Sequence, residues 1–258
     1  MKPSALANFS VMDFSQGERF IEGQILLIDK PLGWTSFDVV NKLRYHLRRA
    51  LGIKKIKVGH AGTLDPLATG VLVVCTGKAT KSIEHLQSDS KTYEAGIRLG
   101  ATTPCLDAEL PVDTWTDAGH LEVDMIRAAA QQWTGPIEQL PPLYSAKKID
   151  GQKAYAVARK GGEINLKKTS IVVSRFDIVS AQGHSEAGHR VMDAVALIDC
   201  SKGTYIRALA RDLGTTLGVG GYLTSLKRTR SGAYSLEQCA SLDVVLNAID
   251  RLGNAPTN

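Results

Sequence analysis

The sequence predicts an α+β fold, a mixed, largely antiparallel sheet with flanking helices. Three observations carry this reading. Apolar runs of strand length are interspersed with amphipathic stretches, without the regular strand–helix–strand alternation of a doubly wound sheet. Thr92–Leu99 alternates Tyr93, Ala95, Ile97 and Leu99, the period of a strand with one buried face. Val40, Leu43, Leu47 and Leu51 recur at helical spacing.

In chain order, residues 1–22 read as a loosely ordered lead-in. Gln24–Asp29 is a short apolar strand broken by Lys30-Pro31-Leu32-Gly33. Thr35 or Ser36 then offers an N-cap with Asp38 in the first turn, and Gly52 ends the helix. Gly59–Gly70 is a loop rich in Gly, Thr and Pro, and Val71–Cys75 is the strand leaving it. After the Thr92–Leu99 strand, Met125–Trp133 reads as helix and Gln139–Lys153 as a polar loop. A short basic helix is expected over Tyr155–Arg159. Strands follow at Ser170–Val179 and Arg190–Ile198, then helices at Tyr205–Leu217 and Leu242–Leu252.

The 258 residues suffice for a large core without covalent staples, and 43% hydrophobic with 22% charged residues is ordinary for a globular chain. The net charge of +5 is mild, but its distribution is uneven. Lys42 to Lys57 holds seven basic residues and no acidic one, and Lys147 to Lys168 holds seven more against Asp150 and Glu163. Such clusters suit a phosphate backbone or are simply solvated faces. Cys75, Cys105, Cys200 and Cys239 are widely separated and form no metal or redox pair, so no metal site is expected. Met1–Phe20 lacks the basic start and apolar run of a leader, and no apolar run nears the ~20 residues that span a bilayer. A cytoplasmic protein without membrane contact is expected.

Several chemistries lose ground quickly. Six residues separate Gly70 from Gly77 where a phosphate loop has four, and Ala79 stands where it needs Ser or Thr. No His-Glu-x-x-His, Gly-x-Ser-x-Gly or Gly-x-Gly-x-x-Gly pattern occurs. What remains is Gly59-His60-Ala61-Gly62-Thr63-Leu64-Asp65-Pro66-Leu67-Ala68-Thr69-Gly70. Three glycines and a proline fix a loop shape around a single carboxylate, an arrangement suited to holding a catalytic group. The plainer alternative is a turn with Asp65 as its local hydrogen-bonding residue.

This loop resembles the catalytic motif of the TruB-type tRNA pseudouridine-55 synthase family. Asp29-Lys30-Pro31-Leu32-Gly33-Trp34-Thr35-Ser36 resembles the family's first motif, and Lys91-Thr92-Tyr93 through Leu99-Gly100 its tyrosine motif. Gln139-Leu140-Pro141-Pro142, with Ser145-Ala146-Lys147, Gly151, Tyr155 and Ala158-Arg159, resembles its RNA-contacting element. Cys200–Arg207 is similar to the arginine motif and Leu223–Gly232 to the final one. The resemblance covers roughly residues 22–235. It implies a catalytic domain over 23–235, an RNA-contacting element at about 135–170, and a C-terminal helix and tail over 236–258. About 26 residues follow Gly232, so the PUA domain that many members carry is not expected.

The resemblance implies isomerisation of uridine-55 in the tRNA T loop, without cofactor or external energy, by a monomer that binds the T arm. Asp65 matches the essential aspartate, as nucleophile or base. Arg207 matches the arginine that pairs with it; a phosphate contact or a structural ion pair are the alternatives. Tyr93 matches the tyrosine stacked on the target ring, with core packing as its alternative. Tyr205 and Leu226 match pocket walls, and His60 the residue that stacks in the opened T loop, whose target base must be flipped out. Lys147, Lys148 and Lys153 are expected on the RNA backbone. A non-catalytic RNA-binding or RNA-folding protein of the same fold is the rival reading, and intact Asp65, Tyr93 and Arg207 argue against it.

Overall fold

The computed structural model describes residues 9–144 and 166–253, with the backbone of Lys148–Ile149 and Gln152–Lys153 between them. Among these residues there are six α-helices: α1 (Glu18–Glu22), α2 (Ser36–Ala50), α3 (Ile83–Ser88), α4 (Val123–Gln131), α5 (Ile206–Thr216) and α6 (Leu242–Gly253). The strands are β1 (Ser10–Val11), β2 (Gln24–Lys30), β3 (Val58–His60), β4 (Ala68–Thr76), β5 (Lys91–Leu99), β6 (Ala101–Thr102), β7 (Thr114–Trp115) and β8 (Gly135–Gln139). Then come β9 (Lys148–Ile149), β10 (Gln152–Lys153), β11 (Thr169–Glu186), β12 (His189–Cys200), β13 (Gly221–Ser231), β14 (Tyr234–Ser235) and β15 (Ala240–Ser241). The chain divides into two compact units, Met1–Lys91 with Lys227–Asn258, and Thr92–Leu226.

In the first unit the strand order is β1-β2-β4-β13, with β3 on β4, β14 on β13 and β15 on β2. β2 and β4 are antiparallel, Ile28 opposite Leu72, whereas β1 and β15 run parallel to β2. β2 is buried on both faces, so its sequence reads as a continuous apolar run rather than an alternating one. One core cluster joins Ile25 and Leu27 to Val71, Val73, Cys75 and Leu86. α2 begins where its sequence says it should. Thr35 Oγ1 accepts from Asp38 N at 3.0 Å and Asp38 Oδ2 accepts from Thr35 N at 3.0 Å, a reciprocal capping box. The helix buries Val39, Val40, Leu43 and Leu47 and packs against α6, where His46 Nδ1 lies 2.8 Å from Asp250 Oδ1.

The lead-in is more ordered than expected. From Phe9 onward it holds β1 and α1, and Phe20 is fully buried. α1 is too short for its helical spacing to stand out in a sequence, and a single aromatic anchors it.

The second unit has the order β13-β5-β12-β11-β8. β11 and β12 form a long antiparallel hairpin with two register shifts, and α4 packs on β11. β5 alternates as predicted, with Tyr93, Ala95, Ile97 and Leu99 inward. β8 is an end strand carrying Pro136 opposite Val172, a position where a missing N–H is tolerated. β11 and β12 outrun the predicted strands because their distal residues are polar and exposed. The expected helix at Tyr155–Arg159, together with Lys147, lies outside the described residues; of Lys148 and Lys153 only the backbone is described. The mixed, largely antiparallel sheet with flanking helices is what the interspersed pattern predicted. Among the described residues, no helix is long and apolar enough to cross a membrane.

Candidate active site

In the first unit, Asp65 sits half-buried on the segment between β3 and β4, and that segment is held from several sides. Ala68 N donates to Asp65 O at 3.0 Å, closing the turn into β4. The buried Ser36 hydroxyl accepts from Leu64 N at 2.8 Å and donates to Leu64 O at 3.1 Å, so the start of α2 grips the residue before the aspartate. Gly33 N donates to Pro66 O at 2.9 Å, fixing the residue after it.

Two buried cations complete the clamp, and neither was singled out from the sequence. Lys30, fully buried, donates through Nζ to Pro31 O at 3.0 Å, to Trp34 O and to Pro66 O at 3.3 Å. Burial holds its ammonium down to about 8, and the Asp65 carboxylate pulls it back up. Arg228, 1% exposed, donates through Nε to Val71 O at 2.7 Å and through Nη2 to Gly62 O at 3.1 Å. Gly70 is required by this packing: its φ is +96°, and a Cβ there would lie 2.2 Å from Arg228 O.

His60 ends β3, opposite Val74 of β4. Burial lowers its pKa from the usual histidine value, and the Arg228 guanidinium lowers it further, which favours the neutral ring. A neutral imidazole is the form suited to stacking on a base.

The other expected site residues lie in the second unit. Arg207 opens α5 and is 7% exposed. Its Nη1 donates to Cys105 O at 2.9 Å and stands 3.5 Å from Asp107 Oδ2, while Nη2 donates to Tyr144 O at 2.8 Å. The structural ion pair that the sequence left open is thus present, with Asp107 as partner. Tyr205 caps the same helix through a reciprocal amide pair: its N donates to Gln139 Oε1 at 2.8 Å, and Gln139 Nε2 donates to its carbonyl at 3.1 Å. Gln139 is 1% exposed, so this residue of the expected RNA-contacting element serves the fold. Tyr93 is 8% exposed on the inward face of β5, and Leu226 is half-buried on β13. Asp65 and His60 thus belong to the first unit, and Tyr93, Tyr205, Arg207 and Leu226 to the second.

A glycine-shaped loop presenting one carboxylate is thus held by buried Lys30 and Arg228 on a mixed sheet. Among solved structures, a Cbf5–Nop10–Gar1 complex matches with a TM-score of 0.60 at 26% identity, over 91% of this chain and 60% of that one. An H/ACA ribonucleoprotein bound to a substrate RNA containing 2′-deoxyuridine matches at 0.57 and 25% identity, over 89% and 54%. The chain thus spans little more than half the length of these solved relatives. The tRNA pseudouridine synthase B of Phocaeicola vulgatus is 50% identical over 224 residues, 87% of this chain and 92% of its own. That of Bacteroides thetaiotaomicron is 48% identical over 233 residues, covering 90% and 95%. Residues 48–206 match the model of the TruB family pseudouridylate synthase N-terminal domain, and residues 207–255 that of the tRNA pseudouridylate synthase B C-terminal domain. The chain belongs to the TruB family of pseudouridylate synthases.

Proposed function

We propose that this chain converts uridine-55 in the T loop of tRNA to pseudouridine, with Asp65 as its catalytic residue. The observation that carries this reading is the clamped loop itself. It holds a single carboxylate between Leu64, tied to Ser36, and Pro66, tied to Gly33 and Lys30. Relatives at about half identity, covered over nine-tenths of their length, bear the name tRNA pseudouridine synthase B and supply the substrate.

The chemistry needs little beyond such a group. The bond from N1 to the sugar breaks, the base turns, C5 joins the sugar, and the C5 proton leaves as N1 regains one. No electrons are exchanged with a partner. One carboxylate serves as nucleophile or base in that sequence. Arg207 is assigned to pair with Asp65 and keep it ionised and aimed, with its own guanidinium braced by Cys105, Asp107 and Tyr144. Tyr93 is assigned to the flipped ring, His60 to the opened loop, and Tyr205 and Leu226 to the pocket walls; flipping costs a few kcal/mol, which stacking offsets. Lys147, Lys148 and Lys153 are assigned to the phosphate backbone. The domain, RNA element and tail keep the boundaries read from the sequence, and the enzyme acts as a cytoplasmic monomer. Mapping pseudouridine in tRNA from cells with and without the gene tests the proposal. Position 55 should lose pseudouridine when the gene is deleted, and its unchanged presence there would contradict the assignment.

A further inference from the structure

The basic segment Lys42–Lys57 is not used by the site described above, and the structure shows what its charges are free to do. Seven basic residues stand there without an acidic one. Arg44 is committed to the fold, donating through Nη1 to Asn41 Oδ1 at 2.6 Å and through Nη2 to Val58 O at 3.0 Å. The other six (Lys42, Arg48, Arg49, Lys54, Lys55 and Lys57) are all exposed, and none makes a side-chain hydrogen bond or ion pair with a described residue. With the seven set aside, 24 basic and 26 acidic residues remain in the chain, so this segment accounts for the positive balance of the whole.

The surface is not merely charged. Phe37, 61% exposed, and Tyr45, 59% exposed, lie on the same outward arc of α2 as Arg48, while Val39, Val40, Leu43 and Leu47 face inward. Asp38, the acidic group of that arc, lies in the first turn, where its carboxylate accepts from Thr35 in the capping box. The helix C-terminus attracts cations, which explains Arg48 and Arg49 on a plain reading. It does not explain Lys42 in the middle of the helix or the three lysines beyond its end. Cations interleaved with exposed aromatic rings suit a ribose–phosphate strand.

We infer that the outer face of α2, continued by Lys54–Lys57, is a docking surface for the sugar–phosphate backbone of the substrate RNA, separate from the pocket that takes the target base. The surface begins beside the chemistry, because the Ser36 hydroxyl that starts α2 also holds Leu64. A helix of 15 residues then extends the surface over about 22 Å. This inference rests on the RNA-substrate reading above. The phosphate contacts position the RNA, and the folded loop and flipped base specify the target.

The test compares wild type with Lys42→Gln/Arg48→Gln/Arg49→Gln and with Arg48→Lys/Arg49→Lys. Binding of a T-arm stem-loop and of whole tRNA is measured across a salt series, with thermal melts confirming that the exposed substitutions leave the fold intact. The glutamine variant should flatten the slope of log affinity against log salt by about 2 on at least one RNA, since each phosphate contact contributes about 0.7–0.9. The lysine variant should keep the wild-type slope, because a phosphate accepts either cation. Loss on whole tRNA alone supports the surface and puts its contacts beyond the T arm. A slope unchanged on both RNAs overturns the inference. Pseudouridine formation by wild type on the same RNAs is read in parallel. If wild type modifies neither RNA while binding still depends on this helix, the proposed function fails and the docking surface stands; modification with an unchanged slope gives the reverse.

Discussion

Arg207 shows how far a single buried side chain can be committed within the fold. Its two Nη groups already reach Cys105 O, Tyr144 O and Asp107. Lysine cannot reproduce this fork, so Arg207→Lys should not behave as a conservative change. We predict a single-turnover rate down by about 10²-fold, the cost of a misplaced reacting group, with RNA binding within a few-fold of wild type. A variant whose only defect is a shallower salt dependence of binding would make Arg207 a phosphate contact instead. At His60 the prediction concerns pH. Its pKa is lowered by burial and by Arg228, so the unfolded chain binds the proton first. Stability should therefore fall as pH drops below about 6.5, where the unfolded histidine begins to charge while the folded one stays neutral. Replacing His60 with Gln should flatten that part of a pH series of denaturation midpoints; an unaltered profile would show that other groups set it.

At the scale of elements, the loop between β3 and β4 is gripped by α2, Lys30 and Arg228. Gly70→Ala and Gly33→Ala separate two causes. Both positions have positive φ, but a Cβ at Gly70 meets Arg228 O at 2.2 Å, whereas at Gly33 it meets nothing within 4 Å. Gly33→Ala should cost about 1 to 2 kcal/mol, the backbone penalty alone. Gly70→Ala should cost about 2 to 4 kcal/mol, strain with overpacking added, in urea titrations. Equal costs would mean that Arg228 does not brace the loop. Lys30 offers a second handle. With its folded pKa near 8 against 10.5 for an unburied lysine, the unfolded chain binds more protons between those values. Its contribution to stability should thus rise with pH across that window, and Lys30→Met should remove the rise.

These elements also show what the sequence made legible. α2 could be read from end to end, because the cap, the apolar spacing and the terminal Gly52 are local signals within one segment. β2 and β5 were equally plain. β13 was recognised only as a motif, since its Lys227, Arg228 and Arg230 read as surface while Arg228 is 1% exposed. The carbonyls that make its burial possible belong to Val71 and Gly62, over 150 residues earlier, and no local pattern announces such a partner. Lys30 was hidden in the same way, its acceptors at Trp34 and Pro66 depending on a turn that exists only after folding. The lone carboxylate in a glycine-rich loop, by contrast, was visible at once, because the glycines mark the backbone shape directly.

At the scale of the whole molecule, Lys147, Lys148 and Lys153 extend the electrostatic argument to the second basic stretch. Replacing all three with Gln should flatten the salt slope of RNA binding by up to about 2, without changing which uridine is modified. An unchanged slope would make that stretch a solvated face. Yet the central claim is chemical, and one comparison reaches it most directly: single-turnover conversion of a T-arm stem-loop by wild type and by Asp65→Asn. The substitution keeps the size of the side chain and removes its charge. Wild type should convert the target uridine to pseudouridine, and Asp65→Asn should yield no detectable product while binding the RNA within a few-fold. Appreciable product from the asparagine variant would contradict the account, because the carboxylate of Asp65 would then not be what breaks and remakes the glycosidic bond.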